Sequence, residues 1–211
     1  MMKLVDYTVK GFTEELASSS PAPGGGSTAA IEGSFGASLV SMVCELTLSN
    51  SKYEQHWQRA EEIKKEAELY RERLLQIVDE DTEAFNLVSQ AFAMKKDTDE
   101  EKALRREAIQ NGLKECCLPP LDVMRNSYDV LKLAERLLDS YNTSTASDLG
   151  TGVVSLRAAC FGAYFNVLIN VGGIKDEAYV SEKKKEAEEI RKNFELLYDY
   201  LYHRITDELN K

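Results

Sequence analysis

One carboxylate in this chain falls where a helix is otherwise apolar. Between residues 52 and 94, apolar residues recur at steps of three and four, and Asp81 lies on that stripe between Ile77 and Phe85. A carboxylate on an apolar face loses hydration, which raises its pKa and lets it exchange a proton near neutral pH. The acidic residues from 79 to 83 also fit a solvated helix face. Asp81 is therefore a candidate acid–base residue, with the solvated face as the alternative.

A glycine-rich segment, PAPGGGSTAA at residues 21–30, is the second candidate. Gly24, Gly25 and Gly26 free the backbone, and Ser27 can begin a helix. Unpaired N–H groups and the positive end of the helix dipole can bind an anion or a ligand carbonyl there. A capped turn, with Ser27 or a glycine as N-cap, is the alternative. Dinucleotide, P-loop and nucleophile-elbow motifs do not fit, because no buried strand precedes the glycines, no lysine follows them, and residue 29 is alanine.

Further polar residues interrupt apolar surroundings later in the chain. Ser147 or Asp148 can cap a helix that begins near residue 149, and Asp148 alternatively belongs to a site. Asn166 and Asn170 lie one turn apart on a helix that is apolar almost all round and is therefore expected to be buried on all sides. Buried amides there either tie helices together or bind a ligand edge such as that of a pterin. A basic turn fits a solvated loop or a docking site for a carboxylate tail. Its members are Lys95, Lys96, Lys102, Arg105 and Arg106.

The elements that must position these residues are helices almost throughout. The pattern predicts helices at about 7–18, 27–48, 52–94, 99–140 with a break near Pro119-Pro120, 149–171 and 177–209. No strand pattern, internal repeat or linker is visible. We therefore expect one all-α domain over residues 1–211, a bundle of about six mostly long helices. Small residues on the second and fifth helices also favour packing against a second subunit, as a homodimer or a larger even-numbered oligomer.

The composition limits the classes of partner. The formal charge of −10 opposes binding to nucleic acid or to an anionic membrane. The apolar stretches look too short to span a bilayer, and the first ten residues lack a signal peptide, so we expect a cytoplasmic protein. The four cysteines show no C-x-x-C spacing, which suggests reduced residues of the core or of helix faces. His56 and His203 are far apart, so no metal site is expected.

Four blocks of sequence together resemble a known family. They are residues 20–27 (SPAPGGGS), 78–85 (VDEDTEAF), 147–149 (SDL) and 162–170 (GAYFNVLIN). In this order they resemble the formiminotetrahydrofolate cyclodeaminase and methenyltetrahydrofolate cyclohydrolase family, over essentially the whole chain. The likeness is to the stand-alone bacterial type rather than to the animal form, which is fused behind a formiminotransferase.

The resemblance implies an all-helical dimer that acts on the one-carbon unit of tetrahydrofolate. Cyclodeaminase closes the N5-formimino form to 5,10-methenyltetrahydrofolate with release of ammonia, and is the first expectation. Cyclohydrolase, which interconverts the methenyl form and 10-formyltetrahydrofolate, is the alternative. Both pass through a tetrahedral carbon between N5 and N10, so both need a proton shuttle and neither a metal nor a prosthetic group. A non-catalytic folate-binding protein or helical scaffold is a further alternative, which the polar residues at apolar positions oppose.

The resemblance also assigns roles to residues. Asp81 matches the acidic residue of the family's block, and Asp79 matches it less well. The glycine loop with Ser27 matches the ligand-binding turn, and Asp148 and Asn166 match polar binding positions. The implied partners are a folate, with or without a polyglutamate tail, and a separate formiminotransferase of histidine degradation.

Overall fold

The computed structural model describes residues 3–211, which contain helices and no strand. The α-helices are α1 (Val9–Leu16), α2 (Gly25–Leu48), α3 (Trp57–Ala93), α4 (Asp99–Glu115), α5 (Leu118–Leu137), α6 (Ala146–Val171) and α7 (Glu177–Leu209). Three short 3-10 segments lie at Leu4–Asp6, Ser51–His56 and Thr143–Thr145. Six of these helices are long and α1 is short. Because the described residues form helices and no strand, the all-α prediction is confirmed.

Local sequence signals explain several of the helix boundaries. Thr98 accepts a hydrogen bond from the Glu101 backbone N–H, while the Glu101 side chain accepts one from Thr98, a capping box that begins α4. The chain breaks between α4 and α5 where Pro119 and Pro120 follow, because proline has no N–H and fits the first turn of a new helix. Gly172 ends α6. These three boundaries were predicted from sequence.

Four helix starts differ from the prediction, those of α1, α2, α3 and α6, and the starts of α2 and α6 bear on the candidate site. Helix α2 begins at Gly25, so Gly25 and Gly26 form its first turn and Gly24 is its N-cap. Helix α6 begins at Ala146 with Thr145 as its N-cap. The proposal that Ser147 or Asp148 caps this helix is therefore wrong, and Asp148 is the third helical residue.

Helix α2 lies at the centre of the bundle and packs against α3 and α6. Its small residues permit this, since a Cβ on Gly36 would lie only 2.5 Å from the Leu156 side chain of α6. Gly25 lies beside Asn166 and Gly36 beside Leu156, so α2 and α6 run antiparallel. The first turn of α2 consequently meets the last turns of α6, and this end of the bundle holds the candidate site.

The two most apolar helices are longer than the sequence suggested. By length and composition, α2 and the segment Thr143–Val171 are each able to cross a membrane, so the expectation of stretches too short to do so is wrong. Of their most apolar windows, 56% and 39% respectively are buried inside the chain. The lower figure reflects an exposed face on α6, where Phe165 is 66% and Ile169 75% exposed. The prediction that this helix is buried on all sides is also wrong for the single chain.

Candidate active site

Asp81 and Gly26 form the closest contact of the candidate site. A Cβ added to Gly26 would lie 2.1 Å from Oδ1 and 2.6 Å from Oδ2 of Asp81. No side chain larger than hydrogen fits between the α2 backbone and the carboxylate. The glycine is therefore required by close approach, and not by backbone conformation, because no glycine among residues 3–211 has a positive φ.

Ser27 holds the same carboxylate from the next position of α2. Its hydroxyl is fully buried and lies 3.1 Å from Asp81 Oδ2 and 3.1 Å from the Val78 carbonyl oxygen, one turn earlier on α3. Burial raises the pKa of Asp81 above its ordinary value of 3.8, while hydrogen bonds from the Ser27 hydroxyl and backbone N–H partly oppose this rise. The balance leaves a carboxyl that accepts and returns a proton more readily than a solvated one.

The first turn of α2 leaves backbone donors free beside Asp81. The first intrahelical hydrogen bond runs from the Thr28 N–H to the Gly24 carbonyl, so the N–H groups of Gly25 and Gly26 precede the helical ladder. They lie at the positive end of the α2 dipole. The predicted bare loop is thus a helix N-terminus, and its glycines let a ligand approach the backbone as well as the carboxylate.

Asn166 lies on the other side of this turn. Its side-chain nitrogen would be 3.2 Å from a Cβ on Gly25, and it donates to the Gly162 carbonyl at 2.9 Å. Its side-chain oxygen makes no hydrogen bond within the described part of the chain. Asn166 can therefore accept a hydrogen bond from a ligand beside Asp81, since Gly25 and Gly26 are neighbours.

Asn170 and Cys116 complete the local structure. The Asn170 amide donates to the Cys116 carbonyl at 2.6 Å and so ties α6 to the break between α4 and α5, which is the helix-tying alternative. Cys116 was assigned to the core or to a helix face, yet it also lies near the candidate site. Burial and the nearby Asp81 charge raise the pKa of its thiol to about 11, which keeps it protonated. No local pattern in the sequence indicates its proximity to Asp81.

Two other predicted residues lie away from this group. Asp79 accepts a hydrogen bond from the Leu4 N–H at 2.7 Å and so fixes the start of the chain to α3. Asp148 is 18 residues before Asn166 on α6, which is about 27 Å along the helix. The structure brings together Asp81, Ser27, the glycines and Asn166, and leaves Asp148 at the opposite end of α6.

The basic turn has partners of its own. Arg105 donates to the Phe92 carbonyl at 3.1 Å, and so satisfies a backbone oxygen in the last turn of α3. Lys102 forms an exposed ion pair with Asp99. These contacts explain two of its five cations as features of helix ends. Within residues 3–211, no group of three or more His, Cys, Asp or Glu side chains has the arrangement of a metal site.

The comparison with solved structures defines the class of fold. The chain superposes on the crystal structure of formiminotetrahydrofolate cyclodeaminase from Thermotoga maritima with a TM-score of 0.81 and 28% identity, over 99% of this chain and 98% of the other. The bundle is therefore the helical cyclodeaminase fold.

Sequence comparisons identify the family. The formiminotransferase-cyclodeaminase family model matches residues 8–189, and the chain belongs to this family. It is 37% identical to methenyltetrahydrofolate cyclohydrolase of Methylorubrum extorquens, over 96% of this chain and 98% of that protein. It is 32% identical to mouse formimidoyltransferase-cyclodeaminase over 83% of this chain, and that match spans only 32% of the mouse protein.

Proposed function

We propose that this protein is an enzyme of tetrahydrofolate one-carbon chemistry whose main reaction is hydrolysis of the 5,10-methenyl bridge to 10-formyltetrahydrofolate. The observation that carries the proposal is the desolvated Asp81 carboxyl, packed against the N-terminus of α2. The end-to-end likeness to a cyclohydrolase favours water as the second reactant. This reverses the order of the two activities expected from sequence.

The hydrolysis needs one group that takes and then returns a proton. Water attacks the methenyl carbon, its oxygen bonds to that carbon, and one of its protons passes to Asp81. The tetrahedral intermediate then opens at the bond between this carbon and N5, and Asp81 returns the proton to N5. The remaining hydroxyl proton leaves to solvent as the formyl C=O forms. A cationic methenyl group and water thus give a neutral formyl group and one proton.

Cyclodeamination is the second candidate, supported by the likeness to the Thermotoga enzyme. There N10 attacks the carbon of the protonated formimino group, Asp81 takes the N10 proton, and the same proton goes to the departing nitrogen to give ammonia. The two reactions differ in the group that attacks or leaves, and they share the carbon between N5 and N10. One proton shuttle therefore serves both.

The surroundings of Asp81 suit binding of a folate as substrate rather than as a prosthetic group. The side-chain oxygen of Asn166 faces the same turn and can accept a hydrogen bond from the pterin ring. Free N–H groups at Gly25 and Gly26 can donate to ring oxygen or nitrogen atoms. We further propose a homodimeric, cytoplasmic enzyme that takes a folate with or without a polyglutamate tail.

Two assays on purified protein test the proposal. Loss of methenyl absorbance reports hydrolysis, and ammonia release from N5-formimino-tetrahydrofolate reports cyclodeamination. We expect kcat/KM to be higher in the first assay. A higher kcat/KM in the second assay would make cyclodeamination the main reaction. No turnover in either assay, with folate binding retained, would favour the non-catalytic folate-binding alternative.

A further inference from the structure

The candidate site lacks a wall on the side of α6. Phe165 and Ile169, which flank Asn166, are 66% and 75% exposed. The Asp81 carboxyl supplies the three atoms nearest to a Cβ on Gly26 and also contacts the Ser27 hydroxyl. A single carboxyl shuttles a proton, but it does not also hold a pterin ring that carries several N–H donors. In one chain the site is therefore open and short of acceptors.

The open side continues as an apolar face along two helices. On α6 its members are Thr151, Val154, Ala158, Phe165 and Ile169, and on α2 they are Phe35, Met42 and Leu46. A groove of about 480 Å³ runs along this side of α6, with Glu32 of α2 at one edge and Tyr202 and Leu209 of α7 at the other. The face is about 27 Å long and two helices wide, so two copies packed face to face cover on the order of 1,000 Å², the size at which an interface becomes specific.

Asp148 lies at the far end of this face and has no partner. Its carboxylate forms no hydrogen bond or ion pair with any residue from 3 to 211, and the N-cap role belongs to Thr145. The 18 residues that separate Asp148 from Asn166 make five complete helical turns, so both side chains leave α6 on the same side. That is the side toward α2, since Asn166 contacts Gly25.

A two-fold axis perpendicular to α6 brings these two ends together. Asp148 and Asn166 are each nine residues from Arg157, so an axis at the level of Arg157 lays the partner's α6 antiparallel and pairs each residue with the other. The neighbouring residue, Leu156, packs on Gly36, so the same axis crosses α2 beside Phe35, which is 53% exposed. The centre of the face thus coincides with its bulkiest exposed side chain on α2.

We propose that a second copy of this chain covers the α2–α6 face and that its Asp148 enters the site beside Asn166, Gly25 and Asp81. This inference rests on the proposed folate chemistry. A carboxylate there accepts two hydrogen bonds, from the pterin N3–H and 2-amino group, and leaves the Asp81 carboxyl to exchange the proton. Asp81 moves the proton, and the partner's Asp148 orients the ring, so each dimer contains two shared sites.

Mixed dimers test the sharing. We expect Asp81→Asn to lose kcat, and Asp148→Asn to raise KM about 10- to 100-fold with little change in kcat. Co-expression of the two variants gives dimers in which one site carries both substitutions and the other carries neither. Random pairing then restores about a quarter of wild-type activity at a substrate concentration below the KM of Asp148→Asn. If both residues act within their own chain, or if Asp148 only stabilises α6, the mixture stays no more active than the mean of the two variants.

A cross-link tests the geometry without reference to activity. The double variant Asp148→Cys/Asn166→Cys cannot close a disulfide within one chain across about 27 Å, because disulfide Cα atoms lie within about 7 Å. We expect a covalent dimer on oxidation, and none from Asp148→Cys alone. A monomer near 23.7 kDa in solution, or a dimer without this cross-link, would overturn the inference. Activity of the wild type in either folate assay shows separately whether the proposed function holds.

Discussion

Gly26→Ala is the substitution that most directly separates catalysis from folding. The new Cβ would lie 2.1 Å from Asp81 Oδ1, about 1.3 Å closer than the 3.4 Å at which ordinary contact begins. The α2 backbone is held by its helical hydrogen bonds, so the carboxyl must retreat by roughly that amount. A displacement of about 1 Å in a reacting group can cost about 10²-fold in rate. We therefore expect kcat/KM to fall about 10²-fold.

Stability is expected to respond differently. Alanine within a helix is favoured over glycine by about 0.5–1 kcal/mol, which offsets part of the strain from moving one side chain. The melting temperature should therefore stay within a few degrees of the wild type. Gly24→Ala is the matched control, because a Cβ at Gly24 has no atom within 4 Å. This control weakens the N-cap of α2 and costs up to about 1 kcal/mol, yet leaves Asp81 in place.

The two variants should thus show opposite effects, measured by thermal melting and by initial rates in the methenyl assay. Gly26→Ala should be folded and nearly inactive, while Gly24→Ala should be slightly less stable and active. If Gly26→Ala keeps kcat/KM within threefold of the wild type, the contact between α2 and Asp81 does not govern the reaction. If both lose activity equally, the backbone of the turn, rather than the carboxyl, is responsible.

Four further variants have expected outcomes. Asp81→Asn should lower kcat by about 10²–10⁴-fold in the methenyl assay without unfolding the chain. Because burial raises the pKa of Asp81, the folded state binds more protons than the unfolded state between pH 3.8 and the raised pKa, and wild-type stability falls as pH rises through that window. The melting temperature of Asp81→Asn should therefore rise relative to that of the wild type over the same window. A difference in melting temperature that is independent of pH would refute the assignment. Ser27→Ala removes a hydrogen bond to the ionised carboxyl, so the acidic limb of the rate profile should move to higher pH. Gly25→Val should weaken folate binding in calorimetry more than it lowers the melting temperature, because its side chain displaces Asn166, whereas unchanged affinity with lower stability would leave only a structural turn. Phe165→Glu should shift light scattering from dimer to monomer, and a monomeric wild type would refute the homodimer.

Periodicity and turn chemistry were sufficient to predict the bundle. The capping box at Thr98, the break before Pro119 and the end of α6 at Gly172 each depend on a few adjacent residues. The start of α2 was misplaced by two residues, since glycine is a poor helix former and its place in the first turn depends on tertiary contacts. The exposed face of α6 was missed for a related reason, because composition does not distinguish a helix buried in one chain from one with an uncovered side.

The candidate site was predictable only in part. Asp81 was found because it interrupts an apolar stripe, and the glycines because three in succession are costly. Ser27 and Asp81, which are in contact in the structure, lie 54 residues apart in the sequence. No local sequence pattern predicts that contact. The proximity of Cys116 to Asp81 arises in the same way from the packing of α4 against α3. For Asp148 the sequence offered a capping role, and only the position of the helix start excludes that role.

The pairing of Gly26 with Asp81 is difficult to explain as a device for stability. An apolar residue at position 81 would pack against α2 without desolvating a charge, and an alanine at position 26 would favour the helix. The chain instead has a glycine that weakens the first turn and a carboxyl whose pKa is raised by burial. Each choice lowers the free energy of unfolding near neutral pH, and both are needed to hold a proton-exchanging group against a helix N-terminus. A scaffold has no need of that combination, whereas an enzyme that carries one proton from the attacking water to N5 requires it.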